Sequence, residues 1–189
     1  MTDYNFEKLH VLAVDDNRHM LTILKAILRG LGVRNVKLAS DAVEAFKEMQ
    51  HFPADLVFVD WMMMPLDGLD FVRLVRTAKD STNPYIPIIM MTGHSEMHRV
   101  IEARNAGANA FLVKPVSPKS LYGRLVEIVE VPRSFIRTND YFGPDRRRRN
   151  EDYKGFDRRI PDTSAVEMTA EQVGRMLPNF ERPGAPPRT

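Results

Sequence analysis

The chain has 189 residues, 43% of them hydrophobic, no cysteine and a formal net charge of +2. That length fits one domain with a tail or two small domains, and the missing cysteines exclude a disulfide framework and thiolate metal ligation. The polar start MTDYNFEKLH argues against a signal peptide and no apolar run approaches a membrane span, so a cytoplasmic protein is expected.

Taken in chain order, residues 10–130 alternate short apolar runs with amphipathic stretches. Val11–Val14, Val36–Ala39, Leu56–Val59, Ile86–Met91 and Ala110–Val113 read as strands. The intervening stretches His19–Leu31, Asp41–Met49, Leu69–Thr77, Met97–Ala106 and Pro118–Glu130 read as helices, the second capped by Ser40 with Val43, Phe46 and Met49 on one stripe. Gly32 and Gly107 stand where a helix ends in a left-handed residue. Five strands alternating with five helices imply right-handed crossovers and a parallel sheet covered on both faces. After Val131-Pro132 the chain is rich in Arg, Asp, Gly and Pro and is expected to be largely disordered. A short helix is expected over Thr169–Leu177, where Thr169 and Gln172 have capping-box spacing.

Such sheets carry their sites at the carboxyl ends of the strands. In this chain those ends supply Asp15-Asp16, Asp60, Thr92 and Lys114-Pro115. Three crowded carboxylates need a cation, and ligation by oxygen with retained waters suits Mg²⁺. A carboxylate held beside Mg²⁺ and a lysine can attack a phosphoryl group, because both cations neutralise the transferring oxygens.

The blocks VLAVDDN, LVFVDWMMMPLDGLDFV, IIMMTGH and FLVKPVS, in this order, resemble the signature blocks of the CheY-like receiver domain of two-component response regulators. The resemblance implies a flavodoxin-like (βα)5 fold with sheet order 2-1-3-4-5 and a receiver domain over residues 8–131. It implies that Asp60 is the phosphoacceptor and that Asp15, Asp16, Asp60 and the Met62 carbonyl hold Mg²⁺. Thr92 and Lys114 would sense the phosphate, Phe111 would be the aromatic switch, and Pro115 would follow a cis bond. One departure stands out: Met64 occupies the place four residues after Asp60 where the family usually has proline, and Pro65 follows it.

The small net charge hides an asymmetry. Residues 1–131 carry 15 Lys/Arg against 16 Asp/Glu; residues 132–189 carry 12 against 9, and 11 of those 12 are arginine. Within the segment 132–162 a motif occurs twice, twelve residues apart: Tyr141-Phe-Gly-Pro-Asp-Arg-Arg147 and Tyr153-Lys-Gly-Phe-Asp-Arg-Arg159. An arginine fork matches guanine O6 and N7, an aspartate accepts from the guanine N–H edge, and an aromatic ring stacks on a base. A ligand with two guanines and two phosphates presents that set twice, as cyclic di-GMP does. The tail resembles the arginine-rich extension of alphaproteobacterial CheY-like cyclic di-GMP effectors, which implies ligand contacts from Tyr141, Asp145, Arg146, Arg147, Tyr153, Asp157, Arg158 and Arg159. The acids interspersed in the segment weaken a purely electrostatic grip on nucleic acid.

The expectation is therefore a non-enzymatic, single-domain response regulator, phosphorylated by a histidine kinase or histidine phosphotransferase. Its tail would bind cyclic di-GMP to control motility or attachment, with a flagellar switch protein as a candidate target. Residues 163–189 would add a short helix and a disordered terminus. The alternatives are a nucleic-acid-binding regulator that uses the basic tail, and a plain phosphorelay shuttle with an inert linker.

Overall fold

The computed structural model describes residues 4–93, 97–146 and 166–176. Its main sheet is parallel with strand order β2-β1-β3-β4-β5, as expected. The strands are β1 (His10–Val14), β2 (Asn35–Ala39), β3 (Leu56–Asp60), β4 (Ile88–Thr92) and β5 (Ala110–Val113). Between and after them run α1 (Arg18–Gly30), α2 (Ala42–Glu48), α3 (Gly68–Thr77), α4 (Met97–Ala106) and α5 (Pro118–Glu130).

Strand alternation divides the core in two. Leu12, Val14, Val57, Val59, Ile88 and Met90 face one cluster, which takes in buried residues of α2, α3 and α4. Val11, Ala13, Leu56, Phe58, Ile89 and Met91 face the other, with α1 and α5. Both faces are apolar, so these strands read as continuous hydrophobic runs, the mark of a parallel sheet.

The helix ends follow local chemistry. The Asn17 side chain caps α1 by accepting from the His19 and Met20 N–H groups, and Leu21, Leu24 and Leu28 bury one stripe. Gly32 (φ 96°) and Gly107 (φ 107°) take the left-handed conformation expected of them. The cap of α2 is Asp41, one residue later than expected, because its carboxylate reaches the Glu44 N–H; Ser40 instead donates from N–H and hydroxyl to the Glu44 carboxylate. The buried residues of α2 are Ala42 and Ala45, with Met49 buried at its C-cap, whereas Val43 is 40% exposed.

Beyond Val131 the described residues hold more structure than their composition suggests. Strands β6 (Phe135–Arg137), β7 (Phe142–Pro144) and β8 (Val166–Met168) form an antiparallel sheet of order β7-β6-β8, followed by α6 (Ala170–Arg175). Thr169 and Gln172 make the expected capping box of α6. This second sheet lies against the amino ends of β4 and β5, where Phe135, Phe142 and Val173 bury against Tyr85 and Met168. Arg137 and Tyr85 both hydrogen-bond the Glu167 carboxylate, tying β6 and β8 to the segment before β4. Composition concealed this because three three-residue strands carry almost no periodicity, and their stability comes from the receiver surface.

Candidate functional site

The carboxyl edge of the main sheet gathers the polar residues expected there. Asp15 follows β1 and is fully buried, Asp60 ends β3 at 7% exposure, and Thr92 ends β4 at 2%. Asp16 is exposed beside them, and carboxylate oxygens of Asp15, Asp16 and Asp60 all lie within 4.8 Å of one another. From the end of β5, the Lys114 ammonium donates to Asp15 Oδ2 and lies against Asp60 Oδ1, both at 2.8 Å.

The backbone fixes this geometry. The Lys114 N–H donates to the Thr92 carbonyl at 2.7 Å, and the Trp61 N–H donates to Met91 at 2.9 Å, so adjacent strand ends are locked together. Asp15 Oδ1 accepts from the Asn17 N–H at 2.9 Å, which turns the chain into α1. Gly68 closes the loop after Asp60 by donating to the Trp61 carbonyl. A Cβ at Gly68 would sit 2.2 Å from the Asp60 carbonyl oxygen, so only glycine fits there. The Lys114–Pro115 bond is cis as expected, and the Met64–Pro65 bond is cis as well.

Burial raises the Asp60 carboxyl above its ordinary value; hydrogen bonding and charge from Lys114 oppose this, and the Asp15 carboxylate adds to it. Burial pulls Lys114 the other way, but its hydrogen bonds to Asp15 and Asp60 outweigh it and its pKa is raised. The two directions agree physically. One ammonium serves two carboxylates, so the lysine stays charged while the carboxylates remain short of positive charge. Three clustered oxygens donors of this kind fit Mg²⁺.

Phe111 lies on β5, partly buried against the first core cluster. Met62 and Met64 are 64% and 77% exposed on the loop beside Asp60. Trp61, which the sequence reading did not single out, is 6% exposed, and the Arg99 guanidinium of α4 lies 5.5 Å from its ring centroid.

The second group of expected site residues is not brought to this edge. Tyr141 is 9% exposed, its hydroxyl donates to the Pro144 carbonyl at 2.7 Å, and Arg146 covers its ring at 4.1 Å from the centroid. It is therefore an internal residue and not a platform open to a base. Gly143 likewise serves packing, since a Cβ there would meet the Tyr141 hydroxyl at 2.6 Å and Gly107 Cα at 3.1 Å. Asp145 and Arg146 are half-buried, and Arg146 donates to Asn105 of α4 at 3.0 Å. Arg147, Tyr153, Asp157, Arg158 and Arg159 lie outside the described residues.

The chain matches the response regulator receiver domain family over residues 11–126, a span that ends before the second sheet. It is 32% identical over 124 residues to the chemotaxis protein CheY-3 of Vibrio cholerae, covering 66% of this chain and 94% of that protein. The structure of the Vibrio cholerae chemotaxis protein CheY4 is similar with a TM-score of 0.58 at 30% identity, covering 64% of this chain and 98% of that one. The receiver domain of the sensor histidine kinase PA1611 of Pseudomonas aeruginosa PAO1 has a TM-score of 0.56 at 28% identity, covering 63% and 95% of the two chains. That structure is described with a magnesium ion coordinated in its active-site cleft.

Proposed function

This chain belongs to the response regulator receiver family, and on that footing we propose that it is a cytoplasmic, non-enzymatic response regulator whose Asp60 accepts a phosphoryl group from a histidine kinase or histidine phosphotransferase. The observation that carries this reading is the Lys114 ammonium held 2.8 Å from both Asp15 and Asp60 within a cluster of three carboxylates. An Asp60 carboxylate oxygen bonds to phosphorus as the bond from phosphorus to the donor's imidazole nitrogen breaks, and that nitrogen leaves with the electron pair. Lys114 neutralises the charge on the transferred oxygens, and the Thr92 hydroxyl donates a hydrogen bond to one of them. Asp15, Asp16, Asp60 and the Met62 carbonyl would hold Mg²⁺, which supplies further neutralisation when bound.

Incubation with a phosphorylated histidine phosphotransferase tests this. The parent chain should gain phosphate and Asp60→Asn should gain none, since the amide keeps the shape but is not a nucleophile. Equal labelling of the two would refute the assignment.

A second reading concerns the arginine segment. The Arg146 guanidinium stacked on Tyr141, next to Asp145, favours a guanine-recognising chemistry at the start of the arginine run. On this reading cyclic di-GMP is held by the arginine and aspartate side chains of the doubled motif, and the protein acts on motility or attachment through a target such as a flagellar switch protein. With Tyr141 internal, base stacking falls to arginine. Calorimetry of the full chain should then show micromolar binding that Arg146→Lys weakens although charge is kept. Binding unaffected by that change would count against the reading.

A further inference from the structure

The end of the main sheet opposite Asp60 is not closed. The loop after α2 and the segment before β4 enclose a hollow of about 550 Å³ lined by Met49, Phe52, Ala54, Thr82, Asn83 and Ile86, among others. Its floor is apolar, with Met49 and Ile86 at 6% and 1% exposure. Of its polar lining, Asp55, Thr82 and Asn83 are already engaged, and Gln50 and His51 complete the rim. Thr82 donates to the Met49 carbonyl, Asn83 accepts from the Tyr85 N–H, and Asp55 accepts from the His10 N–H. Such a surface suits an apolar occupant.

A smaller hollow shares Ala54, Asp55 and Asn83 with this one and is bounded on its far side by Val173 and Met176 of the α6 segment. Through these shared residues the two hollows adjoin, the smaller leading from Met176 towards the larger groove. The helix that leads into it is fastened: Val173 is 3% exposed, and Gly174 packs against Pro132 so closely that a Cβ would lie 3.3 Å from the proline Cγ. The chain therefore leaves Met176 on the groove wall. The next residues are Leu177-Pro178-Asn179-Phe180, and four residues span about 13 Å when extended.

We propose that this groove is an intramolecular docking site for Leu177–Phe180, with Leu177 and Phe180 as its apolar anchors. A proline at 178 disfavours helical backbone at the residue before it, which suits a segment laid along a groove. Phe180 is followed by Glu181 and Arg182, charged residues that mark where the segment returns to solvent. Docking there fastens the C-terminal module to the receiver beyond α6, and any partner peptide that uses this end of the sheet has to displace it.

The chain has no cysteine, which makes cross-linking in the full-length protein a clean test. Asn83→Cys combined with Asn179→Cys, treated with a mild oxidant at low micromolar concentration, should close an intramolecular disulfide. It should close at least about tenfold faster than a control pair of Arg29→Cys with Asn179→Cys, because docking raises the local concentration of the two thiols. Adding Phe180→Asp to the first pair should bring its rate down to that of the control. Equal rates for the two pairs, no effect of Phe180→Asp, or a disulfide that joins two chains would each overturn the proposal, the last by making a second copy the occupant.

Discussion

The guanidinium of Arg76 lies 5.1 Å from the ring centroid of Phe135, joining the last turn of α3 to the first strand of the second sheet. Arg76 is 2% exposed and has no buried carboxylate beside it among the described residues. It spends its donors on carbonyl and amide oxygens: Gly107 from Nε and Nη2 at 3.1 and 3.0 Å, Asn109 at 3.0 Å and Pro84 at 2.8 Å. Burial lowers its pKa to about 9, so the group stays charged at neutral pH. A cation–π contact in such a dry setting stabilises by about 2 kcal/mol, and the second sheet uses it to dock.

Phe135→Ala should remove that docking. The ring is fully buried, and a change of this kind costs about 3–5 kcal/mol. Limited proteolysis should cut between residues 132 and 146 in the variant well before the parent. Phosphorylation of Asp60 should persist, because the site lies at the other end of the sheet. Unchanged proteolysis would mean that the second sheet does not depend on this contact.

Gly68→Ala should damage the site directly. Its Cβ would lie 2.2 Å from the Asp60 carbonyl oxygen and 3.0 Å from Trp61 Cα, both backbone atoms that cannot swing aside. A displacement of about 1 Å at a reacting group costs on the order of a hundredfold in rate, so the phosphorylation rate should fall by about that much. Gly30→Ala is the control: nothing lies within 4 Å of its Cβ, and stability should hold or rise by about 0.4–1 kcal/mol. Equal rates in the two variants would refute the close-approach argument.

Tyr141 should give the second sheet an alkaline limit. Burial raises its pKa from 10.0 to about 12. The folded state therefore favours the neutral phenol, and that contribution is fully present below pH 10 and lost as pH rises through about 12. Ultraviolet absorbance should show a late tyrosine step near pH 12 in the parent that disappears in Tyr141→Phe, while Tyr85, raised by its burial and by Glu167, stays shifted upward in both. A full complement of tyrosines titrating near 10 would show that the ring is open to solvent.

The receiver was legible in the sequence because each of its devices is local. Alternating runs marked the strands to within about two residues, Gly32 and Gly107 marked left-handed turns, and the four blocks around Asp15, Asp60, Thr92 and Lys114 marked the site. The second sheet was hidden because its determinants are long-range: Phe135 needs Arg76 and Tyr85, and Gly143 needs Gly107. A signal was nonetheless present in Ser-Phe-Ile-Arg-Thr-Asn-Asp-Tyr-Phe-Gly-Pro, where turn residues separate two apolar pairs as in a hairpin. Reading Tyr141 as a ligand contact passes over that signal. Arg76 was equally invisible, since an arginine on an amphipathic helix normally faces water.

The most direct measurement is mass spectrometric mapping of the full chain after incubation with a small phosphodonor, with and without Mg²⁺. The account predicts one acid-labile acyl phosphate per chain, on the peptide that contains Asp60, formed only with Mg²⁺ and absent from Asp60→Asn. Phosphate on another residue, or on Asp60 to the same extent without the metal, would contradict it.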